Sequence, residues 1–294
     1  MSTPGWGSIP DQEFLAQDVF PFTGGEFVWT GFDYIGEPTP WGRANDTSRS
    51  SYFGIIDLAG FPKDRFYIYQ ARWRTDLPMA HILPHWNWPE RVGQVTPVHV
   101  YTSGDEAELF LNGKSLGRKK KVFENVVDSR TDQPMQIAGK PINGMPAYRI
   151  RWDDVVYEPG ELKVVAYKNG KEWATDSVKT TGQAVKLSLK PDRDTIANDG
   201  KDLSFVTLIV KDKEGLMVPC THNLIEFEIS GPGEIVATDN GDSTDLTSFK
   251  SHERKAFNGL ALVIVKAKPG QSGEITLSAK SDGLATASTT INLK

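Results

Sequence analysis

The sequence has one cysteine in 294 residues, Cys220, and this scarcity excludes an internal disulfide and every metal site built from several cysteines. It also has no apolar run close to the ~20 residues that a helix needs to cross a bilayer. Positive charge is not in excess, because 33 Lys and Arg stand against 38 Asp and Glu, for a net charge of −5. Nucleic acid and membrane surfaces are therefore not predicted partners, since both attract proteins through clustered positive charge.

The start of the chain also lacks the basic residues and the apolar stretch of a signal peptide. Apolar residues make up 38% of the chain and charged residues 24%, which is typical of a folded globular protein. At roughly 100–200 residues per domain, the length predicts two or three domains.

The uneven distribution of aromatic residues divides the chain into three segments, residues 1–82, 83–181 and 182–294. Six of the eight tryptophans precede residue 90, whereas no Trp or Tyr follows Trp173. A single uniform domain is rarely built in this way, so the chain is interpreted as an aromatic-rich first segment, a middle segment and a last segment rich in Thr, Ser, Lys and Asp.

The first segment has the pattern of an α/β fold. Residues 26–34 are rich in β-branched and aromatic side chains and apolar on both faces, which predicts a buried parallel strand. Apolar and aromatic residues recur at helical spacing between Pro62 and Trp73 and predict an amphipathic helix there. Residues 11–19 predict a shorter helix.

The middle and last segments carry the signals of β-sandwiches. Asn112-Gly113 and Asn169-Gly170 each separate two strand-like runs and predict hairpins, because both turn positions need φ > 0. An alternating pattern predicts a further strand at residues 148–152. In the last segment, strand patterns cover residues 185–189, 203–210, 225–229, 260–265, 274–279 and 285–293. Each segment is therefore predicted to form an Ig-like sandwich of about a hundred residues.

Several strings resemble one family closely. The string GEFVWTGFDYIGEPTP, residues 25–40, resembles the eighth barrel strand and following loop of glycoside hydrolase family 2 β-galactosidases. Residues 48–64 resemble the loop and the start of the last barrel helix in the Bacteroides-type branch. Residues 83–181 are similar to the Ig-like domain after the barrel, and NGD (240–242) and RKAFNG (254–259) resemble a motif pair of the C-terminal accessory domain.

This resemblance implies a mainly β fold, with two Ig-like β-sandwiches preceded by a partial (β/α)8-barrel remnant. A complete barrel needs about 250 residues, and only residues 1–82 are assigned to it. Both catalytic glutamates of the family, on barrel strands four and seven, would lie upstream of Met1, so no catalytic residue is expected here. The parent would be a periplasmic or secreted, retaining exo-hydrolase with a glycoside substrate. No organic cofactor is implied, and no metal site is expected in this segment.

The acidic residues of the first segment do not make a catalytic pair. Retaining glycosidases hold two carboxyl groups about 5–5.5 Å apart. Glu26 and Asp33 are roughly 23 Å apart in an extended strand and point to opposite faces. Asp33 and Glu37 could approach through a turn, but nothing in their spacing requires it. The chain alone is therefore not expected to hydrolyse a glycoside.

Four residues are the predicted substrate-binding site. The residues alone favour a core role for Trp29, but the resemblance implies that its indole forms the floor of the sugar subsite. Asp33, Glu37 and Trp41 follow on the next loop and are expected to line the pocket. The alternative for these three is a pair of loop carboxylates and a solvent-capped aromatic ring.

Other features also have alternative interpretations. Trp86 and Trp88 either join one domain to the next, which is favoured, or form a sugar platform. The acidic stretch at residues 239–245 fails the EF-hand pattern, and a different calcium site is the alternative. The basic run at residues 118–121 is predicted to be a solvated face, since it lacks the interleaved aromatics of a nucleic-acid patch.

Two further functions compete with the enzyme-derived one. The chain could be a carbohydrate-binding or adhesive protein of Ig-like modules, or a structural spacer. Residues 1–82 cannot close a core on their own, because a parallel strand needs partners. They are expected to fold onto the middle domain through Trp73, Trp86 and Trp88, or to form a homo-oligomer through the exposed barrel remnant.

Overall fold

The computed structural model describes residues 7–36, 48–122 and 145–294, together with short strand segments at 127–128, 133–134, 136–137 and 140–141. The chain divides into two compact units. Unit 1 combines Met1–Gly31 with Pro62–Thr180, and unit 2 combines Phe32–Phe61 with Thr181–Lys294. The predicted first segment, residues 1–82, is thus shared between both units, while the domain boundaries after residues 82 and 181 stay predictions.

Unit 1 is a β-sandwich with helices at one side. The helices are α1 (Pro10–Val19), α2 (Asp64–Trp73) and α3 (Met145–Tyr148). The strands are β1 (Ala80–Leu83), β2 (Val98–Thr102), β3 (Glu106–Leu111), β4 (Lys114–Lys120), β5 (Val127–Asp128), β6 (Gln133–Pro134), β7 (Gln136–Ile137), β8 (Lys140–Pro141), β9 (Ile150–Trp152), β10 (Glu161–Lys168) and β11 (Lys171–Lys179). One sheet has the order β1-β2-β9 and the other β11-β10-β3-β4, while β5 pairs with β6 and β7 with β8.

The two Asn-Gly hairpins are confirmed. Asn112 and Gly113 have φ of 49° and 79° and join β3 to β4, and Asn169 and Gly170 have φ of 52° and 76° and join β10 to β11. Both positions of each turn lie in the left-handed region, as the two-residue hairpin requires. The strand predicted at residues 148–152 is shorter, because the chain enters β9 from α3.

The core of unit 1 corrects the interpretation of Trp86. Its side chain is 1% exposed and packs inside the sandwich with Trp152 and Tyr157. Its indole N–H donates to the Glu158 carbonyl at 2.9 Å. Trp86 is therefore a core residue of its own sandwich, neither a join between domains nor a sugar platform, whereas Trp88 lies at the edge and stacks on His85.

Helices α1 and α2 pack on the sandwich through aromatic rings other than the predicted ones. Phe14 is fully buried and meets Tyr69 and Tyr148 edge-on, each with ring centroids 5.3 Å apart. Trp73, by contrast, is 55% exposed. Helix α1 is confirmed at Pro10–Val19, and α2 begins two residues later than predicted, at Asp64. Among the described helices, none is long and apolar enough to cross a membrane.

The predicted buried strand at residues 26–34 is wrong. The described part of the chain has no ladder there, and only Phe32 makes a single parallel bridge, to Ile56. Phe27, Trp29 and Phe32 are more than half exposed. An apolar two-faced pattern gives a strand only where neighbouring strands cover both faces, and the described residues do not provide them.

The basic run of β4 is a solvated face only in part. Arg118 and Lys120 pair with Glu106 at the surface. Lys121, the last residue of the run, instead turns inward and donates to the Thr102 carbonyl. Burial lowers the pKa of Lys121 to about 8.

Unit 2 contains the second sandwich. Its strands are β12 (Ala184–Pro191), β13 (Thr195–Ile196), β14 (Leu203–Asp212), β15 (Leu224–Ser230), β16 (Gly233–Asp239), β17 (Glu253–Lys255), β18 (Leu260–Ala267), β19 (Glu274–Lys280) and β20 (Ala287–Leu293). The sheets have the orders β12-β14-β18-β16 and β13-β20-β19-β15-β17. The predicted strands of the last segment are confirmed, and their inward side chains, such as Val206, Ile225 and Leu277, form one apolar core.

His99 on β2 should make unit 1 less stable in mild acid. Burial, reinforced by the charges of Arg149 and Arg151, lowers its pKa from 6.5 to about 4, against a smaller opposite effect of Asp153. Between pH 6.5 and 4 the unfolded chain therefore binds a proton that the folded chain does not, so stability falls as the pH falls through this window. A scan of melting temperature against pH measures the slope.

The variant His99→Gln should flatten that slope, because the group that takes up the proton is gone. His252→Gln, at an exposed histidine of unit 2, is the matched control and should keep the slope of the original chain. An unchanged slope in His99→Gln would show that other groups cause the acid sensitivity.

Candidate functional site

The predicted site residues are only partly within the described chain. Trp29 belongs to unit 1 and Asp33 to unit 2. Glu37 and Trp41 lie outside the described residues. Within the described residues, the predicted site residues are therefore Trp29 and Asp33, each in its own unit.

Trp29 lies in an extended segment of unit 1 that presents aromatic side chains to solvent. Trp29 is 70% exposed, Phe22 83% and Phe27 fully exposed. The peptide bond between Trp29 and Thr30 is cis. Apolar side chains in such number on one short segment are unusual for a surface that faces only water.

Asp33 is buried in unit 2 and fixes the backbone around it. Its side chain accepts a hydrogen bond from the Gly54 N–H at 2.8 Å, and its own N–H donates to the Ile56 carbonyl at 3.0 Å. A side chain at residue 54 would collide with the backbone of Phe32 and Asp33, so this close approach requires glycine. Asp33 therefore holds two stretches of chain together.

Residues 48–57, called here the return segment, run back along residues 32–36. Ser51 N–H donates to the Tyr34 carbonyl at 2.9 Å, and Ile35 forms an antiparallel bridge with Ser50. With the contacts of Asp33, these bonds tie the return segment to the predicted site along its length.

The other side of the return segment is bound by the C-terminal sandwich. Arg49 forms an ion pair with Asp239, at the end of β16, over 2.7 Å. Its guanidinium also donates to the Thr247 carbonyl at 3.0 Å and lies 4.2 Å from the centre of the Phe249 ring. The Arg49 N–H donates to the Ser243 carbonyl at 2.9 Å.

The β16–β17 loop, residues 240–252, is held from inside by Arg254. Its fully buried guanidinium pairs with Asp245 at 2.9 Å. It also donates to the carbonyl oxygens of Thr238, Thr247 and Ser248. The loop is thus fixed where it receives Arg49.

The carboxylates of this region are bound by arginines and backbone N–H groups. Burial alone would raise the pKa of Asp245, but hydrogen bonds from Thr247 and the ion pair with Arg254 outweigh it, so the pKa is lowered. Asp239 accepts from the Asn240 N–H as well as from Arg49. Among the residues described, no three His, Cys, Asp or Glu side chains are grouped as a metal-ligand set.

Sequence reasoning missed Arg49, Asp239 and Arg254 as residues that support the site. Arg49 and Asp239 are 190 positions apart, and no periodic pattern links them. The available signal was that residues 48–64, the NGD string and the RKAFNG string, which begins at Arg254, all belong to the family resemblance.

Comparisons with known proteins match both sandwiches. Residues 187–290 match Glycoside hydrolase family 2 C-terminal domain 5. Residues 93–174 match a domain of unknown function, DUF4982. The β-galactosidase BoGH2A of Bacteroides ovatus is 41% identical over 280 residues, which are 95% of this chain. The C-terminal sandwich is a glycoside hydrolase family 2 domain.

Other relatives agree with this assignment. A putative β-glucuronidase of Formosa agariphila is 36% identical to this chain over 253 residues, which cover 85% of this chain and 22% of the relative. The solved structure of a β-glycosidase from Bacteroides vulgatus superposes with a TM-score of 0.81 at 29% identity, covering 96% of this chain and 32% of that one.

The chain spans less than a third of the length of each of these relatives, with 29% of BoGH2A covered. The family resemblance and the mainly β fold class are confirmed. The roles of Trp29, Asp33, Glu37 and Trp41 stay predictions.

Proposed function

We propose that this chain is the portion of a retaining β-galactosidase-like glycoside hydrolase that supplies one wall of the sugar pocket and no catalytic acid. The exposed aromatic surface of residues 22–29 carries the proposal. Phe22, Phe27 and Trp29 are too exposed to serve the core of unit 1, and large exposed apolar surfaces mark binding sites or interfaces. In the parent enzyme, the remainder of a barrel would cover Phe22 and Phe27, and the sugar would cover Trp29.

The chemistry would be a double displacement. One carboxylate attacks the anomeric carbon while a carboxylic acid protonates the leaving oxygen, and water then releases the sugar. Both groups would come from outside this chain. The indole of Trp29 would pack against the C–H face of the pyranose ring, and Asp33, Glu37 and Trp41 would shape the surrounding wall. A galactoside is proposed because BoGH2A, a β-galactosidase, is 41% identical to this chain, against 36% for the cited putative β-glucuronidase.

Activity measurements test this proposal. The isolated chain should not release chromophore from a nitrophenyl β-galactoside, whereas the full-length enzyme should. In that enzyme, Trp29→Ala should lower kcat/KM by about tenfold or more, which corresponds to roughly 1.4 kcal/mol of lost transition-state binding.

Trp73→Ala, at a half-exposed tryptophan of α2, is the matched control and should leave kcat/KM unchanged. Hydrolysis by the isolated chain would contradict the placement of the catalytic acids elsewhere. An unchanged kcat/KM in Trp29→Ala would contradict the role of Trp29.

A second copy of the chain is the alternative cover for the exposed aromatics. Light scattering of the isolated chain distinguishes a second copy of the chain from the proposed barrel as the cover of these aromatic side chains. A monomer whose aromatics stay exposed fits the barrel proposal, and a dimer broken by Phe27→Ser would favour self-association. The adhesive alternative has little support, because the exposed large apolar side chains described on the C-terminal sandwich are mainly aliphatic, such as Leu224 and Leu246.

A further inference from the structure

We infer that Arg49 is a positioning residue through which the C-terminal sandwich holds the pocket wall that contains Asp33. The inference rests on the proposed function. It assigns the sandwich a part in building the sugar site, because Arg49 makes the ion pair between the loop of that sandwich and the return segment.

The contacts of Arg49 with the sandwich are specific for arginine. The Arg49 and Asp239 side chains are 13% and 9% exposed, so water competes weakly for the ion pair. The guanidinium is fixed in orientation by a second acceptor, the Thr247 carbonyl, and by the face of Phe249. Such a planar, two-acceptor arrangement suits arginine and cannot be reproduced by lysine.

Smaller contacts also join the return segment to the β16–β17 loop. The Ser48 hydroxyl shares its proton between the Ser50 carbonyl at 2.7 Å and the Ser243 carbonyl at 3.0 Å, and the Arg49 N–H donates to the same Ser243 oxygen. Farther along the return segment, Asp57 lies against Gly241 so closely that any side chain at 241 would strike its carboxylate. Gly241 also has φ of 77°, so both its backbone conformation and the close approach of Asp57 favour glycine there.

The receiving surface is rigid enough to act as a support. Arg254 fixes both sides of the β16–β17 loop by bonding Thr238 at the end of β16 and Ser248 within the loop. The Asn240 side chain adds bonds to Asp245 and to the Lys255 carbonyl. A displacement of Arg49 would therefore move the return segment and leave the loop in place.

The return segment transmits its position to Asp33. Arg49 is adjacent to Ser50 and Ser51, which pair with Ile35 and Tyr34. Five residues after Arg49, Gly54 donates to the Asp33 carboxylate. If Arg49 is released, these pairings lose their outer support, and the pocket wall loses its fixed position relative to the substrate.

Hydrogen exchange in the 294-residue chain tests the docking without any activity. In Arg49→Met, the amides of residues 49–57 should exchange at least about tenfold faster, because the bonds to Ser243 and Tyr34 open more often. In Arg49→Lys, the exchange rates of these amides should lie between those of the original chain and those of Arg49→Met, since lysine keeps only the ion pair. Arg193→Met, which removes a partly exposed ion pair with Asp202 in the same sandwich, is the matched control and should leave the exchange of residues 49–57 unchanged.

Steady-state kinetics in the full-length enzyme test the consequence. Arg49→Met should lower kcat/KM by about tenfold to a hundredfold, as expected for a misplaced pocket wall. Partial rescue by Arg49→Lys and an unchanged melting temperature of the sandwich separate positioning from unfolding.

The outcomes distinguish the inference from the proposed function. Faster exchange together with lower kcat/KM supports the inference. Unchanged exchange in Arg49→Met, or faster exchange with unchanged kinetics, overturns it and leaves the proposed function intact. A full-length protein without glycosidase activity overturns the proposed function, and with it the kinetic role of Arg49.

Discussion

Replacing Arg254 by methionine is expected to destabilise unit 2 by about 3–5 kcal/mol, the cost of removing one partner of a buried ion pair. The guanidinium is fully buried and bonds Asp245 and three carbonyl oxygens. Methionine fills part of the space but leaves a carboxylate and carbonyls without donors. Denaturant unfolding of the chain, followed by circular dichroism, measures the loss.

The environment of Asp245 gives this prediction a pH signature. Its pKa is lowered in the folded chain, so its contribution is present above the ordinary value of 3.8 and lost as the pH falls through the lowered value. The difference in the free energy of unfolding between the original chain and Arg254→Met should therefore become smaller in strong acid.

Arg193→Met again serves as the control, because its ion pair with Asp202 is partly exposed, at 49% and 24% of the two side chains, and surface pairs contribute about 0–1 kcal/mol. A loss in Arg254→Met no larger than in this control would mean that the β16–β17 loop does not depend on the buried guanidinium.

The parts of the fold that depend on local chemistry were predictable. Each Asn-Gly pair specifies a hairpin through the backbone conformation of two residues, and both hairpins formed as predicted. The strands of unit 2 also followed from alternation, since one face of each is buried in a common core. These signals lie within ten residues and need no knowledge of distant partners.

The strand predicted at residues 26–34 failed for the opposite reason. Its aromatic pattern is that of a segment with apolar neighbours on both faces, and the described residues leave Phe27 and Trp29 exposed instead. A sequence pattern records the environment in which a segment is buried, and here that environment is the barrel that we propose lies outside this chain.

The candidate site was predictable only in part. The family resemblance pointed to Trp29 and Asp33, but the support by Arg49 and Asp239 depends on side chains 190 positions apart. Trp86 shows the same limit, because composition alone cannot distinguish a core tryptophan from an exposed one, and the structure places it in the core.

In unit 1, Arg149→Met is expected to cost about 3–5 kcal/mol and to release α1 from the sandwich. The Arg149 and Asp11 side chains are 2% and 1% exposed, and the guanidinium binds both carboxylate oxygens. Since Asp11 is on α1 and Arg149 precedes β9, the pair fastens the helix to the sheet. The loss is measured by denaturant unfolding, and limited proteolysis should then cleave the chain near α1.

Arg72→Met is the control on α2, because Arg72 meets Asp18 of α1 in a contact whose side chains are 31% and 30% exposed, far more than those of the Arg149 pair. It should cost no more than about 1 kcal/mol. Equal losses in Arg72→Met and Arg149→Met would mean that burial of the Arg149 pair adds nothing to the attachment of α1.

The double variant Asp11→Leu/Arg149→Met separates the value of the pair from the penalty of breaking it. Each single change leaves a buried charge without its partner, whereas the double change leaves none and restores apolar contact beside Phe14. The double variant should therefore be more stable than Arg149→Met alone, by up to several kcal/mol. The loss of stability in the double variant could instead equal the sum of the losses in Asp11→Leu and Arg149→Met. The two side chains would then act independently, and α1 would be held by its aromatic contacts with Tyr69 and Tyr148.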